Sequence, residues 1–284
     1  MTPFSAEDLP LLAEVDLVLT DVDDTLTQRG RLSARTLDAL WRLSLDGVRV
    51  VPVTGGCAGW CDHLVRAWPV AAVIGESGAF RFRIRPDGAL EQRYARPLDE
   101  MRADQRRLLD IAQQALRRVP AARLANDQHY RLADVAVDHA QDIAPLPADQ
   151  VRALIDVFQA AGAHARASSI HVNAWFGDHD KASMARQVLE QDFGIDAADR
   201  ATRVLFIGDA PNDETLFGQT ELSFGVANIR PHLAAMAHKP RWVCQAAYGD
   251  GFVEMADCLL AARAGAHSLP GRNVARSMSE ASSC

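Results

Sequence analysis

Three carboxylates and two threonines crowd the segment Thr20-Asp21-Val22-Asp23-Asp24-Thr25, directly after the apolar run Leu17-Val18-Leu19. A short apolar run reads as a buried strand, and ionisable groups clustered at its end point to chemistry rather than packing. If the chain stays extended through Asp23, the two-residue period of a strand puts Asp21 and Asp23 on one side. Two acids in one pocket repel each other unless a cation lies between them or one keeps its proton. The pair therefore implies a divalent metal, a division of labour between acid and base, or both. Asp21, next to the strand, is the candidate nucleophile, placed to attack phosphorus and form an aspartyl phosphate. Asp23 is then the candidate general acid and base, a role that calls for a raised pKa.

Three further segments carry groups suited to the same reaction. Asp209 and Asp213 lie in Gly208-Asp209-Ala210-Pro211-Asn212-Asp213, after the apolar run Val204–Ile207. With Asp21, a backbone carbonyl at Asp23 and Asn212 alongside, they would supply the oxygen ligands that Mg²⁺ prefers. Thr54-Gly55 follows a second apolar run, so the Thr54 hydroxyl and the Gly55 backbone N–H can hydrogen-bond a phosphoryl oxygen. Lys181 opens a helix after a polar turn, and its ammonium would neutralise phosphate charge and tie the acidic groups together.

The elements that must position these residues follow from periodicity. Val15–Thr20 reads as a buried strand, Ser33–Asp46 as a serine-capped helix ending at Gly47, and Val48–Val53 as a second buried strand. Such a βαβ unit implies a parallel sheet covered on both faces, with ligands at the carboxyl ends of its strands. A strand over Ala71–Ile74 leads into the tight turn Gly75-Glu76-Ser77-Gly78. The alternation Arg81-Phe82-Arg83-Ile84-Arg85, the turn Pro86-Asp87-Gly88 and the return Leu90–Tyr94 read as an antiparallel hairpin. Helices over Asp99–Val119 and Pro147–Ala161 and strands over Tyr130–Val137 and Ser168–Trp175 complete an α+β insertion. From Lys181 the α/β alternation resumes through Val204–Ile207, Ser223–Val226 and Arg241–Cys244. The expected organisation is a discontinuous core, 1–81 and 179–262, with an inserted cap over 82–178 and a Gly-, Ser-, Ala- and Arg-rich tail, 263–284, read as disordered.

In the insertion, the alternation of Ser169, His171, Asn173 and Trp175 with Ser168, Ile170, Val172 and Ala174 gives one polar, aromatic strand face. Such a face is either an ordinary exposed sheet face or, closed over the catalytic rim, one that binds sugar hydroxyls through His171 and Asn173 and stacks a ring on Trp175, with Tyr130 and Arg131 as secondary candidates.

Composition bounds the alternatives. The 284 residues are 48% hydrophobic and 24% charged, enough for a sizeable core. A net charge of −7 argues against nucleic acid and anionic membranes as partners. No run has the length of a membrane span, and the acidic first residues are unlike a secretory signal, so the cytoplasm is the expected location. The five cysteines are an odd, scattered set; Cys57 and Cys61, four apart in an expected helix, read as small apolar residues rather than metal ligands. No obligate protein partner is evident.

The order of these groups resembles the haloacid dehalogenase superfamily, whose members carry DxDx[TV], a strand-terminal Thr or Ser, a Lys and an acidic GDxxxD or GDxxND loop. Here these are Asp21-Val22-Asp23-Asp24-Thr25, Thr54, Lys181 and Gly208–Asp213. Together with their intervening elements they span most of residues 15–262. The resemblance implies a Rossmann-like core sheet and Mg²⁺-dependent phosphoryl transfer through Asp21. The placement of the insertion resembles the type IIB cap found in Cof-type sugar phosphatases, sucrose-phosphate phosphatase, mannosyl-3-phosphoglycerate phosphatase and eukaryotic phosphomannomutase. Asp24 stands where the family often has glycine, Gly56 where arginine is common, and Ser77 where asparagine is usual. The expected activity is hydrolysis of a small metabolite's phosphate monoester, a sugar or polyol phosphate. A phosphomutase using the same intermediate and a non-catalytic phosphate- or metal-binding regulator are the alternatives.

Overall fold

The computed structural model describes residues 4–267. At its centre is a parallel sheet of five strands, in the order Trp242–Val243, Leu222–Gly225, Val204–Gly208, Leu17–Thr20, Arg49–Pro52. Leu17–Thr20 is flanked by Arg49–Pro52 on one side and Val204–Gly208 on the other. The chain thus leaves its central strand in one direction and later returns on the other, which opens a crevice at the carboxyl ends of the strands. Asp21, Thr54 and Asp209 all lie one or two residues beyond those ends.

Successive strand residues feed opposite faces. Val18, Val50, Leu205 and Ile207 pack with Leu40, Leu64 and Phe252 from helices Ala34–Leu45, Ala58–Ala67 and Tyr248–His267. Leu17, Leu19, Val51 and Phe206 pack with Met184, Val188 and Leu189 of helix Lys181–Phe193. Burial on both faces explains why these strands read as continuous apolar runs.

The expected hairpin is present as Phe80–Ile84 and Leu90–Tyr94, paired with Val73–Gly75. It crosses the boundary drawn at residue 82, because Phe80, Phe82, Ile84 and Leu90 all pack into the core's cluster. Arg81 is fully buried there, 2.7 Å from the buried carboxylate of Asp192 near the end of the Lys181 helix. A buried pair of this kind ties hairpin and helix together at the cost of desolvating both charges.

Beyond the hairpin, a four-stranded antiparallel sheet runs His164–Ala167, His171–Trp175, Val135–Asp138, Arg123–Leu124. Helices Leu98–Arg118 and Ala148–Ala160 cover one face through Leu108, Ala112, Leu154 and Phe158, against Val135, Val137, Val172 and Ala174. The other face carries His171 and Asn173.

Two cap strands start later than the sequence implies, for the same reason. The N–H groups of Leu132, Ala133 and Asp134 are taken by the Glu76 carboxylate, so Arg131–Asp134 is a loop and the strand begins at Val135. Ser168 Oγ accepts from the N–H groups of Ile170 and His171, which makes a turn ahead of His171. At the carboxyl end, the helix from Tyr248 runs to His267, and Arg263 donates to the Val15 carbonyl and Asp46. Residues 263–267 of the expected disordered tail are therefore helical; the remainder of that tail lies outside the described residues. No described helix is long and apolar enough to cross a membrane.

Candidate active site

The Asp21 N–H extends the ladder by donating to the Ile207 carbonyl at 2.9 Å, so its backbone is as fixed as the strand before it. Lys181 Nζ donates to Asp21 Oδ1 at 2.6 Å and to Asp213 Oδ1 at 2.7 Å. The other Asp213 oxygen accepts from the N–H groups of Asp209 and Ala210, which folds the acidic loop around it. A Cβ on Gly208 would overlap that carboxylate, which accounts for the glycine. Asp209 is held in turn by Thr25 Oγ1 at 3.3 Å and Asn228 Nδ2 at 3.1 Å. Asn228 also donates to the Asp24 carbonyl and accepts from the Tyr248 N–H. Asp24 has φ 61°, a left-handed conformation that Asp tolerates better than most residues.

Lys181 owes its position to the turn Gly75–Gly78. Gly78, at φ 103°, lies against the Asp180 carbonyl so closely that a Cβ would collide with it. Asp180 caps the helix through the Ser183 N–H at 2.7 Å, so the turn and the cap fix Lys181 in its first turn together. Glu76, in the same turn, is fully buried and accepts from Ala58, Leu132, Ala133 and Asp134, joining core to cap.

A cavity of about 290 Å³ lies between the core rim and the cap. Asp21, Asp23, Thr54, Gly55, His171, Asn173, Asp209 and Asn212 all line it. Lys181 and Asp213 lie behind it, reaching it through Asp21 and the acidic loop. Thr54 Oγ1 accepts the Gly56 N–H at 2.9 Å, so the hydroxyl proton is left to point elsewhere. The carbonyl of that same peptide, Gly55 O, accepts from two cap side chains: Arg131 Nη1 at 2.9 Å and Asn173 Nδ2 at 3.2 Å. Both donors also engage the buried carboxylate of Asp134.

Among the cap residues expected to meet a ligand, the structure divides the set. His171 lines the cavity and its Nε2 has no protein partner, as is true of Ser169 Oγ. Asn173 lines it too, but spends its amide on Gly55 and Asp134. Trp175 does not line it: its Nε1 donates to the His179 carbonyl at 2.8 Å and its ring stacks on His164. The cleft that Trp175 borders holds about 10 Å³, room for one water at most, so no sugar ring stacks there. Tyr130 is exposed and packs over Gly59 rather than lining the cavity. Sequence reasoning missed Glu76, Asp127, Asp134, Asn228, Trp60 and Trp68. Only Asn228 carries a signal, a polar residue just past the end of a core strand.

The electrostatics set the chemistry. Burial raises the Asp21 carboxyl well above the usual range, against Lys181 and reinforced by Asp213 and Asp23. Burial and the neighbouring Asp21 and Asp213 do the same to Asp209. Asp23 is pushed up to about 6 by burial and by Asp24. Burial disfavours the Lys181 ammonium, but Asp21 and Asp213 outweigh it and hold its pKa above the ordinary value. Carboxylate oxygens of Asp21, Asp209 and Asp213 lie within 4.8 Å of one another, with one ammonium among them. Asn212 Oδ1 is buried without a partner. Three acids against one base, offering hard oxygen donors only, fit a divalent cation such as Mg²⁺.

No protein-family model and no curated protein matches the chain. Solved structures do. A protein of Thermoplasma acidophilum aligns with a TM-score of 0.66 and 18% identity, covering 87% of this chain and 98% of that one. The sucrose-phosphatase of Synechocystis, solved with sucrose and phosphate, aligns with a TM-score of 0.61 and 20% identity over 87% and 98% of the two chains. A subclass IIB sugar phosphatase of the haloacid dehalogenase superfamily aligns with a TM-score of 0.57 and 12% identity, over 86% and 98%. The chain has the fold of the haloacid dehalogenase phosphatases, with an inserted cap of the kind its motifs led one to expect.

Proposed function

We propose that the chain is a Mg²⁺-dependent phosphatase that hydrolyses the phosphate monoester of a small metabolite, a sugar or polyol phosphate, through an aspartyl phosphate on Asp21. The observation that carries this reading is the convergence of Asp21, Asp23, Thr54 and Asp209 on one cavity, with Lys181 bonded to Asp21 from behind. In this reading 1–81 and 179–262 form the catalytic core, with the hairpin to Tyr94 packed on it, and the rest of 82–178 forms the cap.

Asp21, Asp209 and the acidic loop's Asn212 or Asp213 would hold Mg²⁺, which when bound offsets the phosphoryl charge and polarises its oxygens. Asp213 already spends one oxygen on Lys181 and the other on two N–H groups, so it serves better as a support than as a direct ligand. A carboxylate oxygen of Asp21 forms a bond to phosphorus as the ester P–O bond breaks. Asp23, with a pKa near neutrality, passes its proton to the departing alkoxide. A water then attacks the same phosphorus, gives its proton to Asp23, and the Asp21–phosphorus bond breaks to release inorganic phosphate. The Thr54 hydroxyl and the Gly55 N–H would hold the transferring oxygens, in a geometry fixed beforehand by the hydrogen bonds around Gly55–Gly56.

Asp21→Asn tests the assignment directly. Phosphate release from p-nitrophenyl phosphate and from a sugar phosphate should drop by at least ~10⁴-fold with the circular dichroism spectrum intact. Near-normal turnover would remove Asp21 as nucleophile. Isomeric sugar phosphate without free phosphate would instead select a mutase.

A further inference from the structure

The two walls of the cavity differ in kind, and among the described residues neither offers a free lysine or arginine. On the core side, helix Ala58–Ala67 and the residue just beyond it present Trp60, Leu64 and Trp68, with Leu32 beside them. Trp60 is 56% exposed, a large area of indole left open to the cavity and solvent. On the cap side stand Ser169 and His171, whose Oγ and Nε2 are buried without protein partners. Unpartnered buried polar atoms in a cavity wall are costly and point to a ligand that satisfies them. Burial and the neighbouring Arg131 keep His171 neutral, with its pKa pulled down to about 4.

Arg131 is the single Lys or Arg lining the cavity among the described residues, and it is already consumed. Its Nε and Nη2 face Asp127 at 3.1 and 2.9 Å, and Nη1 serves Asp134 and Gly55. Two carboxylates around one guanidinium leave this end of the cavity net negative. A second phosphate or a carboxylate on the leaving group would meet that field with no free lysine or arginine among the described lining residues to pair with. Apart from the neutral His171, the imidazole lining the cavity among the described residues is His63, exposed on the helix that carries Trp60.

Resting on the phosphatase reading, we infer that the alcohol part of the substrate is uncharged and carries an apolar face, laid on Trp60, Leu64 and Trp68, with its hydrogen-bonding groups turned to Ser169 and His171. The class is thus narrower than sugar phosphates at large: a monophosphate whose polyol bears an aryl or alkyl substituent, with bisphosphates and phosphoglycerates rejected.

The experiment compares three esters with Mg²⁺ present: phenyl β-glucoside 6-phosphate, glucose 6-phosphate and fructose 1,6-bisphosphate, with p-nitrophenyl phosphate as the control for phosphatase activity. The expected kcat/KM for the phenyl glucoside ester is at least tenfold above that for glucose 6-phosphate and at least a hundredfold above that for the bisphosphate. Trp60→Ala should collapse the first gap, and Asp127→Asn, by releasing Arg131, should narrow the second. A bisphosphate turned over best, or a first gap that survives Trp60→Ala, would overturn the inference. If none of the esters, the control included, is hydrolysed, the phosphatase reading falls instead. Quenching of tryptophan fluorescence by the same uncleaved esters then still decides the ligand class: the phenyl ester binding tightest upholds it, and the bisphosphate binding tightest overturns it.

Discussion

The core rim and the cap strand both press buried polar side chains against one cavity, yet they leave opposite things undone. At the rim, Asp21, Asp209 and Asp213 lie within 4.8 Å of one another, and among the described residues Lys181 is the one cation paired with them, so the set is short of positive charge. In the cap, Arg131, Asp127, Asp134 and Asn173 satisfy one another and the Gly55 carbonyl, so that network is closed. In the proposed function, the incomplete set is where a metal and a phosphate would bind, and the completed one serves as a latch. Much of the cap's polar face therefore positions the core, while Ser169 and His171 keep buried polar atoms without protein partners.

The sharpest way to break that contrast is to remove the rim's one cation. Lys181→Met should lower kcat for every ester by ~10²–10³-fold, the scale of losing a charged donor in a preorganised site. The variant leaves three buried acids uncompensated, so added Mg²⁺ should raise its Tm by more than it raises that of the parent protein. A variant whose Tm ignores Mg²⁺ would mean the three carboxylates do not share a cation.

A smaller effect separates latch from ligand contact. Asn173 holds the Gly55–Gly56 peptide, whose N–H in turn engages Thr54, so Asn173→Ala should lower kcat about tenfold for p-nitrophenyl phosphate as for larger esters, with KM nearly unchanged. His171→Ala should leave p-nitrophenyl phosphate alone and raise KM for the larger ester. Identical kinetic profiles for the two variants would erase the distinction.

How much of this was legible in the chain depended on whether the signal was local. Asp21, Thr54 and Asp209 each follow an apolar run, so the strand that positions them is written next to them, and the parallel core with its cap followed from the same runs. Lys181 was legible from its order among those motifs. Glu76 was not, because a carboxylate that accepts the backbone N–H groups of residues 132–134 leaves no pattern at either end. Arg81 sits in an alternation that reads as a solvated strand face, and only the approach of Asp192 from a distant helix accounts for its full burial. Trp175 shares a strand face with His171, but face does not fix depth: four residues further along, that face has left the cavity for His164 and His179.

The two regions should also respond to acid with opposite sign. Asp21, Asp23 and Asp209 have pKa values raised in the folded state above the ordinary 3.8, so folding takes up protons there and the rim is stabilised as pH falls toward 3.8. In the cap, His171 is pulled from 6.5 down to about 4 and burial lowers His139 as well, so the unfolded strand around them binds more protons in that window and loses stability as pH falls through it, while Asp134, raised by burial, works the other way. Hydrogen exchange without Mg²⁺, corrected for the intrinsic pH dependence, should show protection of His171–Trp175 falling ~tenfold relative to Leu17–Thr20 between pH 7 and pH 5. Parallel changes in the two strands would show that core and cap open as one unit.

The least effect is expected at Trp175, and its smallness is informative. Trp175→Phe removes the hydrogen bond to the His179 carbonyl and part of a buried ring, which should cost about 1–3 kcal/mol of stability in a denaturant titration. Because the residue faces a cleft with room for one water at most, KM for the phenyl glucoside ester and for glucose 6-phosphate should each change by less than about twofold. A severalfold rise in KM confined to one of them would place the indole against the substrate after all. It would require the cap to open at the end of the strand near residue 175, moving the boundary between latch and ligand site beyond Asn173.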